Sequence, residues 1–163
     1  SIVLVILGLL VGGVLSGRSL IRAAELRSVS TQYFGYVTAV KSFHDKYFSL
    51  PGDMTNAQAF WGVAHATPLT CLTTVSTDQK TCNGDGNNMI DYSAGSDEKF
   101  RFWQHLANAG LIEGFYIGAA DGASPEAATA RNSPTGKLSN SLWAALCSAS
   151  APWAAFSVDY GHC

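Results

Sequence analysis

The chain has 163 residues, of which 47% are hydrophobic and only 13% charged. Because domains cluster near ~100–150 residues, this length holds one domain with an appendage and excludes two full ones. The net charge of −2 divides into +3 over residues 1–46 and −5 over residues 47–163, which excludes a disordered polyelectrolyte and leaves no basic footprint for nucleic acid as a primary ligand.

Residues 1–17, SIVLVILGLLVGGVLSG, carry no charge. Ile2, Val3, Leu4, Val5, Ile6, Leu7, Leu9, Leu10, Val11, Val14 and Leu15 fall at every helical angle, and a helix apolar all round belongs in lipid or against other protein. At ~1.5 Å per residue the segment reaches about 26 Å, close to the ~30 Å of a hydrocarbon core. A cleaved signal peptide is the rival reading. It requires a basic stretch ahead and a small-residue cleavage site behind, whereas Arg18-Ser19-Leu20-Ile21-Arg22 continues in helical character.

Gly8, Gly12, Gly13 and Gly17 form G-x-x-x-G spacings. They read either as close-packing points between membrane helices or as a stretch that melts in an assembled filament, each glycine weakening the helix by about 1 kcal/mol relative to alanine. Taken alone, Arg18, Arg22 and Arg27 behind the apolar run would keep the head cytoplasmic by the positive-inside rule. The cysteines, discussed below, argue for export.

The helical pattern continues without a turn signal. Leu26, Val29, Tyr33, Tyr36, Val40, Phe43 and Tyr47 follow alternating spacings of three and four, an apolar stripe on one helix face. Leu50-Pro51-Gly52-Asp53 ends it, since proline removes a donor and disfavours helix at the residue before it. The expected organisation is therefore a projecting apolar helix over 1–17, its amphipathic continuation over 18–50 and a globular head over 51–163.

Over roughly residues 1–50, and most plainly over Ser1–Arg27, the chain resembles the N-terminal helix of the type IV pilin and type II secretion pseudopilin superfamily. Members begin the mature chain with a methylated Phe and then Thr-Leu-Ile-Glu-Leu, directly ahead of such a stretch. This sequence does not contain that motif or its assembly Glu, so the resemblance places Ser1 a few residues into the mature chain. The resemblance implies a prepilin peptidase and ATPase-driven assembly machinery as partners. It also implies residence in the inner membrane before assembly, then either an extracellular filament of identical subunits or a short periplasmic pseudopilus. The physics agrees with anchorage: burying eleven large aliphatics contributes on the order of 15–30 kcal/mol gross.

Cys71, Cys82, Cys147 and Cys163 contain no C-x-x-C pair, which is poor zinc spacing and fits two disulfides in an exported head. Three pairings exist. The expected one is Cys71–Cys82 with Cys147–Cys163, each closing a short loop for about 3 kcal/mol.

Asn83-Gly84-Asp85-Gly86-Asn87-Asn88-Met89-Ile90-Asp91 resembles a calcium loop of the D-x-D-x-D-G type. Oxygen side chains at Asn83, Asp85, Asn87 and Asp91 would converge on one hard cation. Asn88 replaces the turn glycine and Ala94 the bidentate Glu, with Asp97 and Glu98 nearby as substitutes. The competing reading is a plain Asn/Gly turn. Calcium is the only candidate cofactor, and none is required.

Ser96-Asp97-Glu98 reads as a helix start, Phe100, Trp103, Leu106 and Ala107 as one packed face, and Gly110 as the stop. That helix is expected to lie on a sheet. Leu138–Cys147 and the alternating Trp153–Tyr160 predict a hairpin joined by Ser148–Pro152. Thr67–Thr81 and Ala119–Thr135 read as surface loops, bare or carrying O-linked sugars. His44, His65, His105 and His162 show no ligand spacing, and no catalytic constellation is present, so an enzyme is not expected.

The fold class expected is α+β: a long N-terminal helix, half projecting and half packed, with a small antiparallel β-sheet head, a short extra helix and disulfide-closed loops. The expected function is a pilin that polymerises through its apolar helix. The alternatives are a secretion pseudopilin and a non-polymerising, membrane-anchored extracellular binding domain.

Overall fold

The computed structural model describes residues 2–91, 98–122 and 128–145. Four helices follow in order: α1 (Ile2–Tyr47), α2 (Ala57–Trp61), α3 (Pro68–Thr73) and α4 (Glu98–Asn108). Helix α1 runs 46 residues without a break, about 69 Å at ~1.5 Å per residue. It is long because no proline interrupts it before Pro51. It ends where Phe48 turns to a left-handed φ of 54°, a conformation that cannot be propagated by L-residues.

Only the second half of α1 meets the head. Val40 and Phe43 are fully buried and Ala39 nearly so, packed with Phe102, Trp103 and Leu106 of α4 and with Met54, Ala57, Ile90, Tyr116 and Ala145. Tyr36 makes T-shaped contacts with Trp103 at 5.1 Å and with Trp143 at 5.4 Å between ring centres, a geometry that aromatic quadrupoles favour. Phe43 stacks on His105 with ring centres 6.4 Å apart. Toward the N-terminus the cover thins: Val29 and Tyr33 are half-buried and Leu26 is 63% exposed. The junction expected over Leu26–Tyr47 thus begins near Val29.

The β-sheet head is corrected by the structure. Helix accounts for about 51% of the described residues, which contain no interpretable β-strand or sheet. Two isolated bridges occur instead, Val63 with Thr81 and Thr135 with Leu142. The described part of the expected hairpin, residues 138–145, folds back through turns: Ser141 donates to the Leu138 carbonyl at 3.3 Å, Gly136 to that of Ser141 at 2.8 Å and Trp143 to that of Pro134 at 2.9 Å. Trp143 packs on Tyr36 of α1, and Ala145 joins the buried core, without a ladder of strand hydrogen bonds. Trp153–Tyr160 and Ser148–Pro152 lie outside the described residues. Helix α4 consequently packs on α1, not on a sheet, with Glu98 through Leu106 all buried. Its start at Ser96 and Asp97 lies outside the described residues, while Gly110 closes it in a left-handed turn at φ 71°.

Residues 71–82, closed into a loop by a disulfide, are held to α4 by a buried polar network. Cys71 and Cys82 are bridged, as expected; Cys147 and Cys163 lie outside the described residues. Arg101 donates through Nη2 to the carbonyls of Cys71 and Thr74, both at 2.8 Å, and through Nη1 to Gln104 Oε1 at 2.8 Å. The Thr81 hydroxyl donates to the same Gln104 oxygen at 2.7 Å. His105 Nδ1 accepts from the Gly52 amide at 2.9 Å, which leaves Nε2 to donate to Thr81 Oγ1, also at 2.9 Å. Burial, and then the Arg101 charge, push the His105 imidazole down to about 3, so it stays neutral and structural.

Truncating Phe43 to Ala removes the ring that joins α1 to α4 and His105. The expected loss is about 3–5 kcal/mol of head stability, read as a lowered thermal midpoint in detergent, with the Cys71–Cys82 bridge intact by mass.

Candidate functional site

Two features stand out from the packed head. The first is the free half of α1. From Ile2 to Val14 every Ile, Leu and Val is at least half exposed, from 50% at Ile6 to 77% at Ile2; the Leu15 side chain lies outside the described residues. The segment is long and apolar enough to be a membrane anchor or a signal sequence. A Cβ added at Gly8, Gly12, Gly13 or Gly17 would meet nothing within 4 Å, so no intrachain contact among the described residues requires these glycines. The helix is continuous through them in the single chain.

The second feature is a cluster of carboxylates where two loops meet the start of α4. One oxygen each of Asp53, Asp85 and Glu98 lies within 4.8 Å of the others. Asp53 and Glu98 are buried at 1% and 2% exposure, and Asp85 is exposed. Two glycines make the convergence possible. Gly52, at φ 91°, runs so close to α4 that a Cβ there would lie 2.6 Å from the Glu98 carbonyl oxygen, and a Cβ on Gly84 would collide with the Asp53 backbone. The Gly84 amide donates to the Met54 carbonyl at 2.9 Å.

Asp53 organises the loop of residues 83–91. Its Oδ1 accepts from the amides of Gly86 at 2.6 Å and Asn87 at 3.1 Å, and its Oδ2 from Asn88 at 2.9 Å. Glu98 clamps the same loop from the other side, accepting from the amides of Asp85 at 3.2 Å and Asp91 at 3.1 Å. Asn88 fills its left-handed position at φ 62°, a conformation asparagine tolerates better than most residues.

The side chains expected to converge on calcium are only partly brought together. Asp85 and Glu98 join the cluster. Asn83 Oδ1 instead accepts from the Gln58 amide at 2.9 Å, and Asn87 Oδ1 from the Met89 amide at 2.7 Å, while Asn87 Nδ2 donates to Asp85 Oδ2 at 3.0 Å. The Asn87 bonds are the local ones of a plain Asn/Gly turn, whereas Asn83 reaches the start of α2, 25 residues away in sequence. Asp91 contributes its backbone amide, and Asp97 lies outside the described residues. Asp53 was not foreseen, because it sits some thirty residues upstream in the segment that ends α1. Its one signal was the Pro-Gly-Asp run, which marks a tight turn ending in a carboxylate.

Chemically the cluster is a set of hard oxygen donors, the kind that suits calcium or magnesium. Burial, opposed by the amides of Asp91 and Asp85 and reinforced by the Asp85 and Asp53 charges, raises the Glu98 carboxyl to about 7. Burial also raises Asp53 above its ordinary range, against the pull of the Asn88 and Gly86 amides. A divalent cation would relieve the mutual repulsion; a proton on Glu98 does so in its absence.

An open cleft of about 420 Å³ adjoins the cluster, lined in part by Leu69, Leu72, Gln58, Asp85 and Glu98. No protein-family profile, no curated protein and no solved structure matches this chain.

Two outcomes are expected. Gly84→Ala forces its methyl into the Asp53 backbone and costs about 1–3 kcal/mol, measurable as a lower thermal midpoint. The stability contribution of Glu98 without divalent cations is fully present below its ordinary pKa of 4.5 and lost as pH rises to about 7, since the folded state binds the extra proton. The thermal midpoint of the parent should therefore fall relative to that of Glu98→Gln across this window. A constant difference from pH 4.5 to 8 would show that the carboxyl is not shifted.

Proposed function

We propose that this chain is a structural subunit of the type IV pilin and pseudopilin kind. It polymerises through α1 into an extracellular, pilus-like filament and performs no catalysis. One observation carries the reading: a single unbroken helix is the spine of the head in one half and, in the other, presents apolar side chains that the head leaves uncovered. Exchange of lipid for like helices changes apolar burial little, so the same segment serves first as membrane anchor and then as polymer core. In this reading Ile2 through Leu15 make the core contacts. Gly8, Gly12, Gly13 and Gly17 admit close helix approach or local unwinding there. The inner membrane holds the subunit before a prepilin peptidase and the assembly machinery act on it. Calcium at Asp53, Asp85 and Glu98 would pin the loop of residues 83–91 to α4.

A short periplasmic pseudopilus is the alternative within the same superfamily. A membrane-anchored binding domain that never polymerises is the reading favoured by the cleft beside Glu98.

Electron micrographs should show surface filaments that disappear when the gene is deleted. Leu7→Lys, which puts a charge costing about 2.5–3.5 kcal/mol into the middle of the apolar run, should abolish them while leaving the head's disulfide and thermal midpoint unchanged. Filaments that persist in the deletion strain would remove this reading. Millimolar calcium should raise the thermal midpoint of the parent, and have little effect on Asp53→Asn.

A further inference from the structure

The stem between the apolar run and the head carries a second, polar feature. Arg18, Arg22 and Arg27 are exposed, and no ion pair or side-chain hydrogen bond is formed by any of their guanidinium groups among the described residues. The two arginines of the head behave differently: Arg101 is buried on the carbonyls of Cys71 and Thr74, and Arg131 is paired with Asp121 at 2.8 Å. Among the described residues, the chain's five arginines thus divide into two bound ones in the head and three unpaired ones in the stem. Glu25 is the only acidic residue among the first 44, and it too is exposed. Head cover begins only near Val29, so nothing in the described chain shields residues 18–27.

Their position is fixed by the helix. Because α1 is continuous, Arg18 follows the apolar run directly, Arg22 stands about 6 Å further along on nearly the same face, and Arg27 about 13 Å beyond Arg18. The polar layer of a bilayer is roughly 5–8 Å deep on each side of the hydrocarbon. Arg18 and Arg22 therefore fall inside it when the apolar run spans the membrane, and Arg27 reaches it from above with a long, flexible side chain.

We propose that Arg18, Arg22 and Arg27 form a collar that binds anionic phospholipid headgroups on the head side of the membrane. This proposal rests on the anchoring part of the function proposed above. Planar guanidinium groups suit phosphate because they donate two parallel hydrogen bonds where a lysine offers a point charge. Such a collar holds the subunit at a fixed depth, with the base of the head clear of the bilayer. It also explains why arginines without protein partners gather in ten residues of an otherwise charge-poor chain.

The test uses the full chain reconstituted into phosphatidylcholine vesicles that contain 30% phosphatidylglycerol. Electron spin resonance with spin-labelled phosphatidylglycerol and phosphatidylcholine measures which lipid borders the protein. The expected result is a preference for phosphatidylglycerol of about fivefold or more, on the scale of one arginine near an anionic surface. It should fall toward unity in the triple variant Arg18→Gln, Arg22→Gln, Arg27→Gln and in high salt. Flotation of the protein with the vesicles but equal affinity for both lipids overturns the collar alone. Failure to float with pure phosphatidylcholine vesicles overturns the anchor, and the collar with it. Loss of the preference in inorganic phosphate at matched ionic strength assigns the arginines to the free anion and overturns the lipid proposal. If the triple variant does not insert, the salt series on the parent decides, since a salt-insensitive preference is not electrostatic.

Discussion

The burial of Val40 and Phe43 against Trp103 and Leu106 is the contact on which the rest of the molecule depends. It fastens an 11-residue helix to one half of a 46-residue helix, and the described loops of the head are arranged around that pair. The loop that ends α1 is trapped between α4 and the turn at Gly84. The disulfide loop is tied down by side chains that project from α4. Because the contact is confined to the C-terminal half of α1, the N-terminal half remains outside the head, and the same packing that makes a fold also makes a rod.

Helix α1 was legible from its sequence because its evidence is local. A three-four apolar spacing needs no knowledge of the partner, and Pro51 marks the end by covalent constraint. The Cys71–Cys82 loop was legible for the same reason, being short. The sheet was not a sound expectation. The alternating segment Trp153–Tyr160 lies outside the described residues, and in the segment that begins at Leu138 Trp143 packs on Tyr36 across more than a hundred residues, a pairing that no local pattern encodes. Helix α4 was found with Phe100, Trp103, Leu106 and Ala107 as its packed face, but its near-total burial was not foreseen: Arg101 and Gln104 bond carbonyls and a hydroxyl of the disulfide loop, and His105 accepts from the Gly52 amide.

The carboxylate cluster shows the same division. Asp85 and Glu98 belong to a recognisable oxygen-rich stretch, so the region could be marked in advance. Its geometry could not, since Asp53 comes from the end of α1 and occupies the backbone amides of Gly86, Asn87 and Asn88. Asn83 is spent on the Gln58 amide at the start of α2 and Asn87 on its own turn, so the ligand order read along the chain dissolves. A site assembled from segments about thirty residues apart leaves only fragments in either one.

The absence of any joint between stem and head has a geometrical result. Each residue of an α-helix advances about 1.5 Å and turns about 100°, so the azimuth of the head is set by the number of residues separating it from the apolar run. A deletion of one residue among 18–27 would leave both parts chemically intact yet swing the head through more than a quarter turn. The stem therefore acts as a phase element: its length in residues, as much as their identity, determines which side of the head faces a neighbour or the membrane.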